Sequence, residues 1–267
     1  MRLPVRMFGI WGRLHLSLDA DLLGMYPSGR QSARLLTESW IENNLYCPNC
    51  LEPRLEREQV NTPLTDFRCV NRSCGQTFQL KAQRGKIGPV WRDSAYNPWS
   101  ESFTKGTTPN LTLMHYDIKD LRVLNLEVIP PFFIRPSCIM KWELSTRPNY
   151  WMCSILLHSV GPDAHIKIVT DGVEEDRQRV QERYRSFAWM RHLPPQSRGW
   201  TADVLRCIRE LGNRSFTLKE VYKSYEQELQ KLHPENKNVQ AKIRQQLQVL
   251  RDRNKIRFIG KGCYEFI

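Results

Sequence analysis

The sequence predicts an α/β chain with two domains: a helix-and-strand domain that contains a cysteine cluster, followed by a small winged helix. Three observations support this prediction. Apolar residues recur at strand and helix spacing through most of the chain, four cysteines cluster between residues 47 and 74, and residues 200–267 follow the order helix, helix, helix, hairpin. Residues 193–198 combine two prolines with polar residues, so we expect a linker there, between a domain at 1–192 and a domain at 199–267.

The charge of the chain favours a polyanionic partner. Among 267 residues, 40 Lys and Arg stand against 28 Asp and Glu, a formal net charge of +12. More than half of this excess lies in residues 197–267, which contain 15 basic and 8 acidic residues. A basic surface gains affinity for nucleic acid by releasing counterions from phosphates. Since an ordinary basic protein would have a similar total, the location of the charge is the more informative observation.

No stretch of the chain predicts a membrane or secretory segment. A run of 18 apolar residues is absent, and the apolar residues of the basic N-terminus are interrupted by Arg6, Gly12 and Arg13. We therefore expect a cytoplasmic protein with no membrane partner. In a reducing compartment, clustered cysteines indicate a metal site more often than disulfides.

The first domain is predicted to contain helices and several strands. Residues 28–46 predict an amphipathic helix, with Ser28 at its start. Residues 65–70 and 77–83 predict two short strands that form a hairpin. Further strands are expected at 111–116, 121–128, 150–157 and 165–169, and a second helix at 174–190.

The C-terminal domain is predicted to be a winged helix because three helices precede a short hairpin. The helices are expected at 200–212, 217–232 and 239–253, and Thr217 with Glu220 fits a capping box at the second. A hairpin about a Gly-Lys-Gly turn completes the domain. The apolar face of the third helix consists of Val239, Ile243, Leu247 and Leu250.

The polar face of the third helix, together with the hairpin, predicts a DNA-binding surface. Amide and guanidinium groups on such a helix can reach base edges and phosphates in the major groove. A solvated helix face, or a winged helix used for protein contacts, would also be polar, but the basic Lys255 and Arg257 of the hairpin favour DNA. The candidate DNA-contacting residues of this domain are Asn238, Gln240, Lys242, Arg244, Gln245 and Lys261.

The four clustered cysteines predict a structural zinc site. Cys47 and Cys50 form one close pair, and Cys69 and Cys74 form another 18 residues further along the chain. Two such pairs can close a tetrahedral thiolate site on Zn²⁺, and four thiolates leave no open position for chemistry. Unrelated thiols and disulfides are the alternatives.

Asp66 and the triplet Gln79-Leu80-Lys81 predict a catalytic metal site. An acid on one strand and an x-x-Lys triplet on the next is the layout of the PD-(D/E)xK nuclease core. Mg²⁺ prefers oxygen ligands, which Asp66, the Gln79 side chain and the Leu80 carbonyl would supply. Gln79 and Lys81 project to the same side of a strand, so Lys81 can stabilise the attacking water or the developing charge.

This motif is short, and it departs from the pattern in one respect. An Asp and a Lys at this separation also occur by chance on an exposed strand edge. Gln79 stands where the pattern has an acid, and an amide oxygen binds Mg²⁺ less well than a carboxylate does. Glu38, on the preceding helix, is a candidate supplementary carboxylate; the alternative is an ordinary glutamate on a helix surface.

Several segments together resemble the Dam-replacing protein family. The resemblance runs from about Ser28 to the C-terminus, and the first 13 residues lie outside it. The segments are SARLLTESW (32–40), YCPNC (46–50), DFRC (66–69) with QLK (79–81), SRGWT (197–201) and KIRQQLQVLRD (242–252).

The resemblance implies a PD-(D/E)xK domain joined to a winged helix. It also implies a type II site-specific deoxyribonuclease that uses Mg²⁺ to cleave both strands of GATC sites containing N6-methyladenine. Asp66 and Lys81 would take catalytic roles, and Gln79 occupies a position where a known member has Glu. Trp151 matches a tryptophan that lies near the bound methyl groups, although a core tryptophan beside a strand is an equally good interpretation from sequence.

The leading hypothesis is therefore a methyl-directed restriction endonuclease that acts on adenine-methylated double-stranded DNA. We expect it to be a monomer in solution. A non-cleaving protein that binds methylated DNA, with a decayed nuclease core, is the alternative. A winged-helix regulator with an unrelated sensor domain ranks last, because it leaves the cysteine cluster and the paired Asp and Lys unexplained.

Overall fold

The structure is a computed structural model that describes residues 12–25 and 28–267. Most of the basic N-terminal stretch, including Arg6, lies outside the described residues. In chain order the strands are β1 (Leu55–Arg57), β2 (Phe67–Cys69), β3 (Thr77–Gln83), β4 (Val90–Ala95), β5 (Asn110–Asp117), β6 (Arg122–Ile129), β7 (Ile139–Glu143), β8 (Trp151–Leu156), β9 (Ile166–Thr170), β10 (Val173–Glu174), β11 (Ser215–Thr217), β12 (Ile256–Gly260) and β13 (Cys263–Phe266). The α-helices are α1 (Gly29–Asn44), α2 (Tyr96–Lys105), α3 (Arg177–Ser186), α4 (Pro195–Glu210), α5 (Leu218–Leu232) and α6 (Val239–Asp252).

The described chain divides into two compact units, and neither is one continuous segment. The first unit takes in the described residues up to Ile87, with Pro109–Pro130 and His165–Phe187. The second takes in Gly88–Thr108, Pro131–Ala164 and Ala188–Ile267. The fold is thus mixed α/β, and the linker at 193–198 stays a prediction.

The first unit is built on a seven-stranded sheet with the order β1-β2-β3-β5-β6-β9-β10. Only the β3–β5 pair is parallel among these neighbours. The helix predicted over 28–46 forms as α1, and the predicted hairpin forms as β2 and β3. Leu36, Trp40 and Ile41 of α1 are buried in a core with Phe67 and Phe78 of this hairpin. This packing fixes α1 against the strands that contain the candidate catalytic residues.

The second unit contains a small antiparallel sheet that the sequence did not predict. Its order is β4-β8-β7, and α2 contacts β7 and β8. The strand expected at 150–157 therefore forms, but it pairs with two strands that lack a clear sequence signal. Trp91 pairs with Ile155 across 64 residues of chain, a long-range pairing that local patterning does not report.

The remainder of the second unit has the order of a winged helix. Helices α4, α5 and α6 are followed by β12 and β13, and β11 joins them in a three-stranded sheet with the order β11-β13-β12. Helix α4 begins at Pro195, five residues before the expected start at Trp200. The fixed backbone angle of proline suits the first turn of a helix, and so part of the expected linker is helical.

Two local predictions for this helical domain are confirmed. The Glu220 carboxylate accepts from the Thr217 N–H at 2.6 Å, and the Glu220 N–H donates back to Thr217 Oγ1 at 3.2 Å, which completes the capping box. The four apolar residues expected on the inner face of α6 are all buried. Gln246 is buried beside them, where its Oε1 accepts from Thr201 Oγ1 at 2.6 Å.

Over the described part of the chain, there is no helix whose length and apolar character would let it cross a membrane.

Candidate active site and cysteine centre

The four clustered cysteines lie together in the first unit. Their Sγ atoms are all within 4.8 Å of one another, with 3.7 Å between Cys47 and Cys74 and 3.5 Å between Cys50 and Cys69. A tetrahedral zinc ion with bonds of about 2.3 Å separates its sulfur ligands by about 3.8 Å. A covalent disulfide would need about 2.05 Å, so these are four free thiols. The cluster can hold a structural metal such as zinc.

Local backbone turns bring the thiols to this position. Residue Leu51 adopts a positive φ of 60°, and its N–H donates to the Cys47 carbonyl at 2.8 Å, which closes a knuckle directly after α1. Cys69 lies in β2, and Cys74 lies in the connection to β3. Hydrogen bonds from the Cys47 thiol and from Asn49 Nδ2 lower the pKa of Cys74. This arrangement favours the thiolate of Cys74, which is the form that binds metal.

Asp66 lies immediately before β2, with its carboxylate against the backbone of β3. The Leu80 N–H donates to Asp66 Oδ2 at 2.7 Å, and the Asp66 N–H donates to the Phe78 carbonyl at 2.9 Å. Burial raises the pKa of the Asp66 carboxyl, and the charge of Glu38 raises it further. The Leu80 N–H and the charge of Lys81 act in the opposite direction. The carboxylate is therefore held in place by a hydrogen bond, but the cost of burying its negative charge is not fully offset.

Gln79 is the residue of the triplet whose surroundings are most unusual. It is 5% exposed, and its Oε1 is buried with no hydrogen-bond partner among the described residues. Leaving a buried acceptor without a partner is unfavourable, so this oxygen is suited to bind a ligand. An oxygen-binding cation such as Mg²⁺ fits this donor set, because Asp66, the Gln79 amide and the Leu80 carbonyl all offer oxygen.

The structure brings the predicted catalytic residues of the first unit close together. Gln79 and Lys81 lie two positions apart in β3, on one face of the strand. Lys81 is half-buried, and its charge acts on Asp66. Glu38 of α1 is 8% exposed and is near enough for its charge to act on Asp66 as well. Asp66 and Glu38 line the same open cleft, whose volume is about 380 Å³.

Two arginines beside Glu38 belong to this site, and the sequence analysis missed both. Arg34 Nε donates to Glu38 Oε1 at 2.5 Å, and Arg57 Nη1 lies 3.3 Å from Glu38 Oε2. The i,i+4 spacing of Arg34 and Glu38 is a signal that could have identified the first arginine. No local sequence pattern predicts Arg57, because β1 contacts α1 only in the folded chain.

The outer face of α6, in the second unit, is polar and exposed. Asn238, Gln240, Arg244 and Gln245 are exposed, and Lys242 is half-buried. Two of them contact α5: Gln240 Nε2 donates to Glu226 Oε2 at 2.9 Å, and Arg244 Nη1 donates to the Tyr222 hydroxyl at 2.8 Å. These two side chains are therefore oriented before any partner binds, a feature that the sequence pattern did not indicate.

The β12–β13 hairpin that follows α6 is the wing of the winged helix, and the tip of this wing is basic. Gly260, Lys261 and Gly262 all have positive φ, at 108°, 51° and 75°. A φ of 108° is accessible to glycine alone, so this tight turn explains the Gly-Lys-Gly sequence. Lys261 is exposed at its centre. The tip of the wing thus presents one positive charge to solvent.

Trp151 lies at the start of β8, on the small sheet of the second unit. It is 36% exposed, and Lys141 Nζ lies 3.9 Å from its ring centroid. The tryptophan is therefore not an ordinary core residue: one part of its ring is accessible, and a cation lies over its face. An aromatic surface of this kind can bind an apolar or cationic group.

Comparison with known families agrees with these observations along nearly the whole chain. Residues 14–193 match the model of the Dam-replacing family, DpnI. Residues 196–266 match the model of the Dam-replacing HTH domain. The first match includes Asp66, Gln79, Lys81 and all four clustered cysteines, and the second includes α6 and the wing. The chain therefore belongs to the Dam-replacing family.

Proposed function

We propose that this chain is a methyl-directed type II restriction endonuclease that cleaves both strands of DNA at GATC sites containing N6-methyladenine. Membership in the DpnI family supports this type of activity. The observation that supports cleavage most directly is that the Asp66 carboxylate accepts from the Leu80 N–H of β3, next to Gln79, whose buried Oε1 has no hydrogen-bond partner among the described residues. A PD-(D/E)xK core is the interpretation of this arrangement that we favour.

Each residue of this site has a role that follows from its chemistry. The Asp66 carboxylate, the Gln79 amide oxygen and the Leu80 carbonyl would hold Mg²⁺, which would supply positive charge to the phosphate and lower the pKa of the attacking water. The Leu80 N–H orients the Asp66 carboxylate. Lys81 would hold the attacking water or stabilise the negative charge that develops on the phosphate.

Recognition of DNA is assigned to the second unit. The exposed polar face of α6 fits the major groove, and Lys261 at the wing tip fits a phosphate. Trp151 would contact the methyl group, because methylation of adenine N6 adds apolar surface that an aromatic ring can cover. Its partly exposed ring on β8 supports this role.

The central test separates binding from chemistry. Asp66→Ala and Lys81→Ala are expected to abolish Mg²⁺-dependent cleavage of a methylated GATC duplex, with binding to that duplex nearly unchanged, because affinity comes from contacts spread over the DNA. Asp120→Ala and Lys86→Ala are matched controls, since both residues are exposed in the first unit. Gel assays of cleavage and filter binding measure the two properties. Wild-type cleavage by Asp66→Ala would overturn the proposed active site.

The alternative function is a non-cleaving protein that binds methylated DNA, and Gln79 is the observation that favours it. An amide binds Mg²⁺ less well than the carboxylate usual at this position. If Gln79 is a working ligand, Gln79→Glu should preserve or raise cleavage by a wild type that is already active. A wild type that is inert with Mg²⁺ and with Mn²⁺, and that Gln79→Glu makes active, would instead identify a decayed nuclease.

A further inference from the structure

Arg34 has a contact that the proposed chemistry does not explain. It lies on α1, one turn before Glu38, and pairs with the Glu38 carboxylate through Nε. The Arg34 side chain is 67% exposed, whereas the Glu38 side chain is 11% exposed. Both residues line the cleft that Asp66 also lines. An exposed arginine thus covers a nearly buried carboxylate beside the candidate metal ligands.

A second arginine, Arg57, contacts this carboxylate and a neighbouring one. Arg57 Nη1 contacts Glu38 Oε2 at 3.3 Å, and Arg57 Nη2 contacts Glu42 Oε2 at 3.5 Å. Arg57 therefore bridges two carboxylates of α1. Among the described residues, Arg34 makes an ion pair with Glu38 alone. Because the Arg34 side chain is largely exposed and has this single ion-pair partner, it can turn to another anion in the cleft while Arg57 stays between its two carboxylates.

The position of Arg34 conflicts with metal binding at the same site. Its positive charge acts on Asp66 as well as on Glu38. A divalent cation between these carboxylates would be repelled by the guanidinium. The site also needs negative charge, because Gln79 contributes a neutral oxygen where a carboxylate would be stronger. Glu38, whose charge acts on Asp66, is a carboxylate of the cleft that could compensate, and Arg34 neutralises it.

We propose that Arg34 exchanges partners when DNA enters the cleft, leaving Glu38 for a phosphate of the duplex so that Glu38 faces the metal ion. The inference rests on the proposed nuclease function. A phosphate is a better partner for a guanidinium than a single carboxylate oxygen is, because it offers two parallel hydrogen bonds. The exchange couples metal binding to DNA binding, and it supplies the second negative charge that position 79 lacks.

The first test measures metal binding without DNA. Arg34→Gln is expected to bind Mn²⁺ about tenfold more tightly than the wild type, since one positive charge a few ångströms from a divalent cation is removed. Electron paramagnetic resonance of free Mn²⁺ reports this affinity directly. Arg30→Gln is the matched control: Arg30 is an exposed arginine of the same helix that does not line the cleft, and its loss should leave Mn²⁺ affinity unchanged. Adding Glu38→Gln to Arg34→Gln should remove the gain.

The second test measures phosphate contact. Binding of a methylated duplex is followed over a range of salt concentrations, with Ca²⁺ in place of Mg²⁺. The logarithm of the affinity decreases with the logarithm of the salt concentration. In Arg34→Gln the steepness of this decrease should be smaller by about 0.9, the value for one lost phosphate contact. Arg30→Gln should keep the wild-type slope.

Together the two measurements decide the proposal. Tighter Mn²⁺ binding with a smaller salt slope supports the exchange. An unchanged Mn²⁺ affinity, or an unchanged slope, overturns it, as does an Arg30→Gln variant that behaves like Arg34→Gln. Loss of the proposed function has a different signature: a wild type that does not cut methylated DNA refutes the nuclease, whereas the exchange is still decided by these two readouts.

Discussion

At the scale of single residues, the candidate site combines a poorly compensated charge with an acceptor that has no partner. Burial raises the pKa of the Asp66 carboxyl, and the Leu80 N–H only partly offsets this effect. Gln79 Oε1 is buried, and no group in the described part of the chain donates a hydrogen bond to it. Both features reduce the stability of the folded chain, and such features persist where they serve a ligand. The site is therefore expected to be more stable with its oxygens bound to a cation.

Asp66→Asn should separate stability from activity. The pKa of the Asp66 carboxyl is raised from its ordinary 3.8 in the folded protein. The folded state therefore stabilises the neutral carboxyl relative to the charged carboxylate. Any stability that the neutral form contributes is fully present below pH 3.8 and is lost as the pH rises through the raised value. The neutral amide of asparagine can still accept from the Leu80 N–H. We expect a higher melting temperature than that of the wild type at pH 7, together with loss of cleavage.

The pH dependence of this gain identifies its cause. Thermal melts of both proteins are recorded without Mg²⁺ and without chelators, so that metal at the cysteines is retained. The difference in melting temperature should shrink as the pH falls, because wild-type Asp66 then becomes neutral as well. A difference that stays constant with pH would show that charge at Asp66 is not what destabilises the fold.

At the scale of elements, the cysteine cluster joins the end of α1 to the β2–β3 hairpin. Cys47 follows α1 and Cys69 lies in β2, so a metal ion here closes a loop of about 22 residues between elements that both position the candidate site. Asp66 and Gln79 lie on this same hairpin. The metal is therefore expected to support catalysis through folding and not through chemistry.

Cys69→Ser should lower both zinc content and stability. Elemental analysis of the purified wild type is expected to find one zinc per chain, and the variant should contain less, because a hydroxyl is a poor zinc ligand. Metal binding to such a site contributes folding free energy, so the variant should unfold at a lower denaturant concentration. Cys263→Ser is the control, since Cys263 lies in β13 and outside the cluster. A wild type without stoichiometric zinc would refute the assignment.

The elements that the sequence predicted are those whose signals are local. Thr217 with Glu220, and the spacing of Val239 and Ile243, lie within single helices, where a few residues determine the outcome. The close spacing of Asp66, the triplet and the cysteines likewise allowed most of the candidate site to be predicted. Pairing of β4 with β8, and of Arg57 with Glu38, depends on contacts between segments distant along the chain. These contacts were missed because no periodicity or motif within one segment indicates which distant segment it will contact.

At the scale of the whole molecule, each compact unit is assembled from separated segments of chain. In the second unit, Arg135, which precedes β7, reaches Asp203 of α4: Arg135 Nη1 lies 2.5 Å from the Asp203 carboxylate. Arg135 Nη2 donates to the Ser159 carbonyl at 2.7 Å, and His233 Nε2 lies 2.7 Å from Asp203 Oδ2. Arg135 and Asp203 are 7% and 4% exposed. A buried ion pair thus links the winged helix to the segment that leads into the small sheet.

Asp203→Ala should therefore destabilise the full chain strongly. Removing one partner of a buried pair leaves the other charge uncompensated, which costs about 3–5 kcal/mol in the free energy of unfolding. Asp163→Ala is the matched control, because its pair with Arg209 is exposed and is worth less than about 1 kcal/mol. Denaturant titration of the two variants gives the comparison. Equal effects would show that Arg135 is compensated by something other than Asp203.

The same substitution should have a different effect in a fragment that contains residues 194–267 alone. The whole of α4, α5, α6 and the wing is present in that fragment, and its basic residues predict DNA binding that weakens steeply with salt. Arg135 is absent, so Asp203→Ala leaves no buried charge unpaired and should change the stability of the fragment by less than about 1 kcal/mol. Suppose that the fragment folds and that Asp203→Ala lowers its free energy of unfolding as much as it does in the full chain. The contact that matters would then be the one between Asp203 and His233, inside the winged helix. The His233 ring stacks on Trp200 at a centroid distance of 3.9 Å. A fragment that does not fold would show instead that the winged helix needs the rest of the second unit. Pro131–Ala164 and Ala188–Ile267 would then form one folding unit.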